Sequence, residues 1–136
     1  MSNKKSVLFL CTHNSCRSQI AEGLLNSMYG SSYEAFSAGI EKTKVNPYTV
    51  EVMKEIGIDL SKHYSKTINK FQTQKFDIVV TVCDNARETC PFFPGKKVIH
   101  KNFKDPSNVE GNIDKILSAF RKTRDEIKEW IVEQFG

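Results

Sequence analysis

The sequence has no apolar run of membrane-spanning length, no internal repeat, no linker-like stretch and no low-complexity tract. A membrane-embedded or multi-domain reading is thereby excluded, and one domain over residues 1–136 is expected. Charge of one sign is also scarce. Twenty Lys and Arg against 16 Asp and Glu leave a net +4, which suits an anionic substrate but is too small and dispersed for nucleic-acid binding. Met1-Ser2-Asn3-Lys4-Lys5 lacks the shape of a leader and runs straight into an apolar stretch, so a cytoplasmic location is expected. Only four cysteines occur. In a chain without a leader they point to thiol chemistry or a metal rather than to structural disulfides. With 39% hydrophobic and 26% charged residues over 136 positions, the chain is globular, not disordered. A chain of that size buries about two-thirds of its unfolded surface.

What is present centres on Val7-Leu8-Phe9-Leu10-Cys11-Thr12-His13-Asn14-Ser15-Cys16-Arg17-Ser18. Four apolar residues ending at a cysteine read as a buried strand, followed by a tight polar loop and the start of a helix. Such a loop points backbone N–H groups and the positive end of the helix dipole into one small volume, which suits a tetrahedral oxyanion. Cys11 and Arg17 bracket that volume. The field that attracts an anion also favours thiolate over thiol at Cys11. Arg17 can offer two parallel donors to the oxyanion oxygens, which lysine cannot. Of the four cysteines only Cys11 has arginine six positions on; Cys16, Cys83 and Cys90 have Glu22, Thr89 and Lys96. A buried strand-end thiol beside a helix-capping loop is the alternative. The loop's polarity, the Ser18 hydroxyl and the strand-to-helix context favour an active site.

Periodicity places the first helix from about Arg17 to Met28, with Ile20, Leu24, Leu25 and Met28 on one face and Gly30 as its stop. Residues 33–38 alternate as a second strand ending at Gly39. Asn46-Pro47 starts a helix whose buried stripe is Val50, Met53 and Ile56 and whose end is Gly57. A short helix is expected within 67–74, a central apolar strand over 76–82 and a short fourth strand over 97–100. Ile113, Ile116, Leu117, Phe120, Ile127 and Ile131 keep helical spacing through a long C-terminal helix. Alternating strands and helices give an α/β fold: a parallel sheet covered on both faces, with its ligand beyond the carboxyl ends of the strands, where Cys11 and Cys83 fall.

Cys83 and Cys90, seven apart, match no zinc-knuckle spacing. On a helix they stand about 10–11 Å apart, whereas a disulfide needs Cα atoms within about 7 Å. A redox role therefore calls for a segment that unwinds or loops. The bland alternative is two unrelated small core residues; Cys83, at the strand end nearest Cys11, favours redox. Asp105, stiffened by Pro106, is a candidate general acid, though Asp-Pro more commonly caps a turn. Cys16 reads as a packed loop residue, His13 as a solvent-facing loop position and Trp130 as an apolar anchor.

Cys11 through Ser18 with the downstream Asp105-Pro106 resembles the low-molecular-weight protein tyrosine phosphatase fold. The Cys83/Cys90 pair, Ser37-Ala38-Gly39-Ile40-Glu41 and Val45-Asn46-Pro47 make the chain similar, over nearly its whole length, to the thioredoxin-coupled arsenate reductases built on that fold. The resemblance implies a four-stranded parallel sheet flanked by helices. It implies an oxyanion loop of Thr12, His13, Asn14, Ser15, Cys16, Arg17 and Ser18, with Ser18 supporting the thiolate and Asn14 shaping the loop. It also implies arsenate as substrate, a Cys11–Cys83–Cys90 relay with Asp105 as proton donor, and thioredoxin as reductant of the final disulfide. A monomer without cofactor or metal is expected.

Three departures carry consequences. His13 stands where the family commonly has glycine, which raises the question of a left-handed backbone at a residue bearing a Cβ. Where some members bind potassium with Asn, Glu, Ser and Asp, this chain has Asn14, Glu22, Ser37 and, at the fourth position, Lys66, whose ammonium is expected to take the ion's place. Ser107 replaces a tyrosine that phosphatases often carry after Asp-Pro, weakening the stacking surface for an aryl phosphate. The runner-up activity is hydrolysis of phosphotyrosine or aryl phosphates through a Cys11 phosphoenzyme. A non-enzymatic oxyanion-binding or redox-sensing module is the third reading.

Overall fold

Strand β1, Lys5–Leu10, is inner because its last four residues are apolar on both sides. The computed structural model describes residues 4–83 and 93–136. In it Val7 and Phe9 enter one core and Leu8 and Leu10 the other. Parallel pairing puts Leu10 beside Ala38 of β2, Tyr33–Ala38, and beside Thr81 of β3, Ile78–Thr81. With β4, Lys97–His100, pairing β3, the four-stranded parallel sheet has the order β2-β1-β3-β4. A strand buried on both faces reads as a near-continuous apolar run, which is why β1 and β3 were legible as central.

Helices α1 (Arg17–Tyr29), α2 (Pro47–Lys54) and α3 (Ile113–Phe135) belong to the first core, where Ile20, Leu24, Leu25, Met53, Ile127 and Ile131 are fully buried. The opposite core is aromatic: Phe36, Phe71 and Phe76 meet edge to face, and Phe76 also meets Phe93. Phe71 closes the one-turn 3-10 helix Ile68–Phe71, within the segment where a short helix was expected. Each fully buried aliphatic or aromatic side chain contributes about 1.5–3 kcal/mol relative to exposure, so both faces hold the sheet that carries the site.

Most element boundaries agree with the sequence reading, and the differences have local causes. β3 is shorter than 76–82, because Phe76 turns into the aromatic core and Asp77 instead bonds Ser6 through N and Oδ2. The α2 stripe is displaced: Thr49, Val52 and Met53 are buried, while Val50 and Ile56 pack at its margin. Val52 is drawn in by Phe120 of α3. Asn46 caps α2 as expected, its side chain accepting from Tyr48 N at 2.8 Å, and Gly57 ends the turn at φ 79°. Gly30 follows α1 in right-handed backbone at φ −62°, so it stops the helix without a left-handed cap. Ile113, in the first turn of α3, is 59% exposed and lies outside the core. Trp130 is the anchor expected, edge-on to Phe103 and Phe135. Among the described residues no helix is long and apolar enough to cross a membrane.

Candidate active site

The loop from Cys11 to Cys16 leaves the C-terminal end of β1 and enters α1 at Arg17. Its floor is a close backbone approach. Ile40 N and Glu41 N donate to Thr12 O at 2.8 and 3.2 Å, and Cys11 N donates to Ala38 O at 3.3 Å. A Cβ at Gly39 would stand 2.7 Å from Thr12 O and 2.9 Å from Asn14 N, so only glycine fits there.

Cys11 is buried, with Sγ 2.8 Å from Ser18 Oγ. Asn14 Nδ2 donates to that same Ser18 oxygen at 2.8 Å. The hydroxyl has one proton, and with Asn14 occupying an acceptor position the proton is directed at the sulfur. The left-handed residue of the loop is Asn14, at φ 51°, the one non-glycine residue with positive φ among those described. The question raised by His13 is thus answered one position on. His13 keeps ordinary backbone, and its ring faces outward, with Nδ1 3.3 Å from Glu41 Oε2. Asparagine tolerates that conformation because its short polar side chain bonds locally.

Arg17 is buried in the first turn of α1, with Nη1 donating to Phe103 O at 3.0 Å and Nη2 3.6 Å from Asp105 Oδ2. Asp105 caps its turn and also faces the loop. Its Oδ1 accepts from Ser107 N at 2.9 Å and Ser107 Oγ at 2.7 Å, capping the turn 106–108, while Oδ2 faces the Arg17 guanidinium. A groove of about 970 Å³ opens beside these groups, with Thr12, His13, Phe103, Asp105, Pro106 and Trp130 in its walls.

Cys83 lies just past β3, fully buried, its Sγ 3.7 Å from Leu10 O. Val82 N bonds that same carbonyl at 2.9 Å, so Cys83 and Cys11 leave adjacent parallel strands at one level. Cys83 is disulfide-bonded, whereas Cys11 and Cys16 are free thiols. Cys90, and with it the segment expected to unwind, lies outside the described residues. Cys16 is the packed residue anticipated, against Val52 and Phe120; burial pushes its thiol up to about 11, against a smaller lowering by the Ser15 hydroxyl 3.4 Å away.

Lys66 lies beside Glu22 and Ser37, the residues named with it in the sequence. Its Nζ donates to Tyr64 O at 2.9 Å, lies 3.4 Å from Ser37 Oγ and 3.8 Å from Glu22 Oε1, and its backbone N donates to Asn14 Oδ1 at 2.9 Å. Ser37 Oγ in turn donates to Glu22. Burial lowers the Lys66 amine and Glu22 raises it, and the cage presents the carboxylate, hydroxyl and carbonyl oxygens that a small cation takes. Gln19 and His63 were missed. Gln19, fully buried in the first turn of α1, bonds Asn14 and Tyr64, and His63 bonds Gln19. The available signal was a glutamine one residue beyond Ser18, in the first turn of the expected helix.

A family model described as low molecular weight phosphotyrosine protein phosphatase matches residues 6–135. Arsenate reductase of Halalkalibacterium halodurans is 48% identical over 126 residues, 92% of this chain and 91% of that one. An arsenate reductase solved in its phosphate-binding state superposes with a TM-score of 0.81 at 29% identity over 95% of each chain. The thioredoxin-dependent arsenate reductase of Corynebacterium glutamicum gives a TM-score of 0.66 at 30% identity, over 97% of this chain and 64% of its own.

Proposed function

We propose that this chain, which belongs to the low molecular weight phosphotyrosine protein phosphatase family, is an arsenate reductase that works through a Cys11–Cys83–Cys90 thiol relay. Arsenate occupies the loop of residues 12–18, where backbone N–H groups, the α1 dipole and the Arg17 guanidinium balance its charge. The Cys11 thiolate forms a bond to arsenic as one As–O bond breaks, and Asp105 delivers the proton that lets that oxygen leave as water. The Cys83 thiolate then attacks the Cys11 sulfur. An S–S bond forms, the As–S bond breaks, and its electron pair stays on arsenic, releasing arsenite. Cys90 attacks Cys83, which frees the Cys11 thiolate and leaves a Cys83–Cys90 disulfide. Thioredoxin supplies the two electrons that reopen it. The chain acts as a monomer in the cytoplasm.

The observation that carries the reading is the pairing of a free, Ser18-supported Cys11 with a disulfide-bonded Cys83 on the neighbouring strand end. The similarity to proteins named arsenate reductase supports the substrate, and the thioredoxin-dependent relative supports the reductant. Arsenite production from arsenate with thioredoxin, thioredoxin reductase and NADPH tests it. Steady turnover in the wild type and a single turnover in Cys90→Ser is the expected result. No arsenite from either protein overturns it. The groove between Asp105 and Trp130 favours one second reading, hydrolysis of an aryl phosphate through Cys11, Arg17 and Asp105. That activity survives Cys83→Ser and Cys90→Ser, whereas arsenate turnover does not.

A further inference from the structure

Behind the loop, four hydrogen bonds converge on one amide. Gln19 Nε2 lies 3.1 Å from Asn14 O, 3.0 Å from Asn14 Oδ1 and 3.0 Å from Tyr64 O. Its two protons serve three oxygens, one of them shared, and a reversed amide would set a carbonyl against all three. The orientation is therefore fixed by chemistry, and Gln19 Oε1 faces His63 Nδ1 at 2.8 Å. An acceptor at Oε1 requires the proton of His63 to be on Nδ1, in the neutral ring as in the charged one. Glu22 Oε2, 3.8 Å from the same nitrogen, holds the ring from the next turn of α1.

We propose that Gln19 and His63 are a positioning pair for the nucleophile, acting through Asn14 and Ser18. Asn14 is fully buried with φ 51°, a conformation that residues other than glycine rarely adopt without local hydrogen bonds. Gln19 grips both of its oxygens, the backbone carbonyl and Oδ1. The second grip decides the electrostatics. While Oδ1 is engaged by Gln19 Nε2 and Lys66 N, Asn14 must turn Nδ2 toward Ser18. Among the described residues, the Cys11 sulfur is then the acceptor left to the Ser18 hydroxyl. Without Gln19, Lys66 N alone holds Oδ1, and the Asn14 amide reverses more readily. Its oxygen then accepts the Ser18 proton and the sulfur loses its donor. His63 enters because it holds Gln19 in the one orientation that grips Asn14, so the line runs His63, Gln19, Asn14, Ser18, Cys11. This inference rests on Cys11 being the nucleophile.

The test reads the sulfur directly, without arsenate. The rate at which iodoacetamide alkylates Cys11 at neutral pH, mapped by mass spectrometry, is compared among wild type, Gln19→Leu, His63→Ala and His63→Asn, with the melting temperature of each. Asparagine carries an N–H where Nδ1 stands, so it restores the donor without the ring. Alkylation falls about tenfold in Gln19→Leu and His63→Ala, the effect of roughly one hydrogen bond. It returns to within about twofold of wild type in His63→Asn, although both His63 variants lose similar ring packing. Should Gln19→Leu fail to fold, the two His63 variants decide. A reactive Cys11 whose rate is the same in His63→Ala as in wild type, with only the melting temperature lowered, overturns the positioning role and leaves the relay standing. A wild-type Cys11 inert to alkylation overturns the nucleophile and this inference together.

Discussion

Cys11 and Cys16 stand five residues apart in one loop, 2% and 3% exposed, yet their surroundings are opposite. Cys11 ends an apolar strand but meets the Ser18 hydroxyl, whose proton Asn14 directs at it. Cys16 is in the polar loop but turns into an apolar pocket with Val52 and Phe120, and burial raises it. Burial alone does not make a thiol inert, nor does membership of an anion loop make it reactive. What separates the two is the setting of the contact: the Ser18 hydroxyl stands 2.8 Å from Cys11 with its proton directed by Asn14, whereas at Cys16 burial outweighs the longer contact to Ser15.

The sharpest way to break that comparison is to replace each thiol by a hydroxyl. Cys11→Ser removes the proposed nucleophile, and arsenate turnover falls at least about a thousandfold, as for other nucleophile deletions. Cys16→Ser leaves turnover within a few-fold and costs roughly 1–2 kcal/mol in urea unfolding, because a hydroxyl now occupies an apolar pocket. Comparable turnover in the two variants would remove the assignment of the nucleophile.

The second way tests the polar side from beneath. If the Lys66 ammonium takes a cation's place, wild-type stability and turnover are the same in potassium chloride and in tetramethylammonium chloride, an ion too large for the cage. Lys66→Met leaves the Glu22 carboxylate and Ser37 without their cation, which costs about 1–3 kcal/mol. Potassium returns part of that loss and tetramethylammonium does not. Melting curves of both proteins in the two salts check it, and a potassium-sensitive wild type would contradict the substitution.

These two sides were unequally legible in the sequence. Strand, loop and helix start could be read because each is a local pattern: apolar residues ending at Cys11, small and polar residues to Ser18, amphipathic spacing beyond. The boundaries of β2 and β4 and the Asn46 cap are local in the same sense. Gln19 and His63 are not, since they are 44 residues apart in sequence and meet only when the segment before Lys66 lies against α1. The displaced α2 stripe has a similar origin. Val52 is buried by Phe120, which neither propensity nor period within 47–54 can announce. Sequence pattern reports which face of an element is apolar, whereas the identity of what covers it is a tertiary fact.

The smallest effect concerns Cys16 alone and runs along pH. Its thiol is raised by burial from an ordinary 9.0 to about 11, so the folded protein holds this proton more tightly than the unfolded chain. Stability from that difference is fully present below pH 9 and is lost as pH rises through 11, because the unfolded state alone gains by ionising. The gap of about two units corresponds to roughly 2–3 kcal/mol across that window. Cys16→Ala has no proton to lose, and its urea-unfolding free energy declines less steeply between pH 8.5 and about 10.5 than that of wild type. Lysines and tyrosines titrate in the same range in both proteins and cancel in the difference. Equal slopes would mean that the pocket opens to water at alkaline pH, and burial would then not be what holds the Cys16 proton.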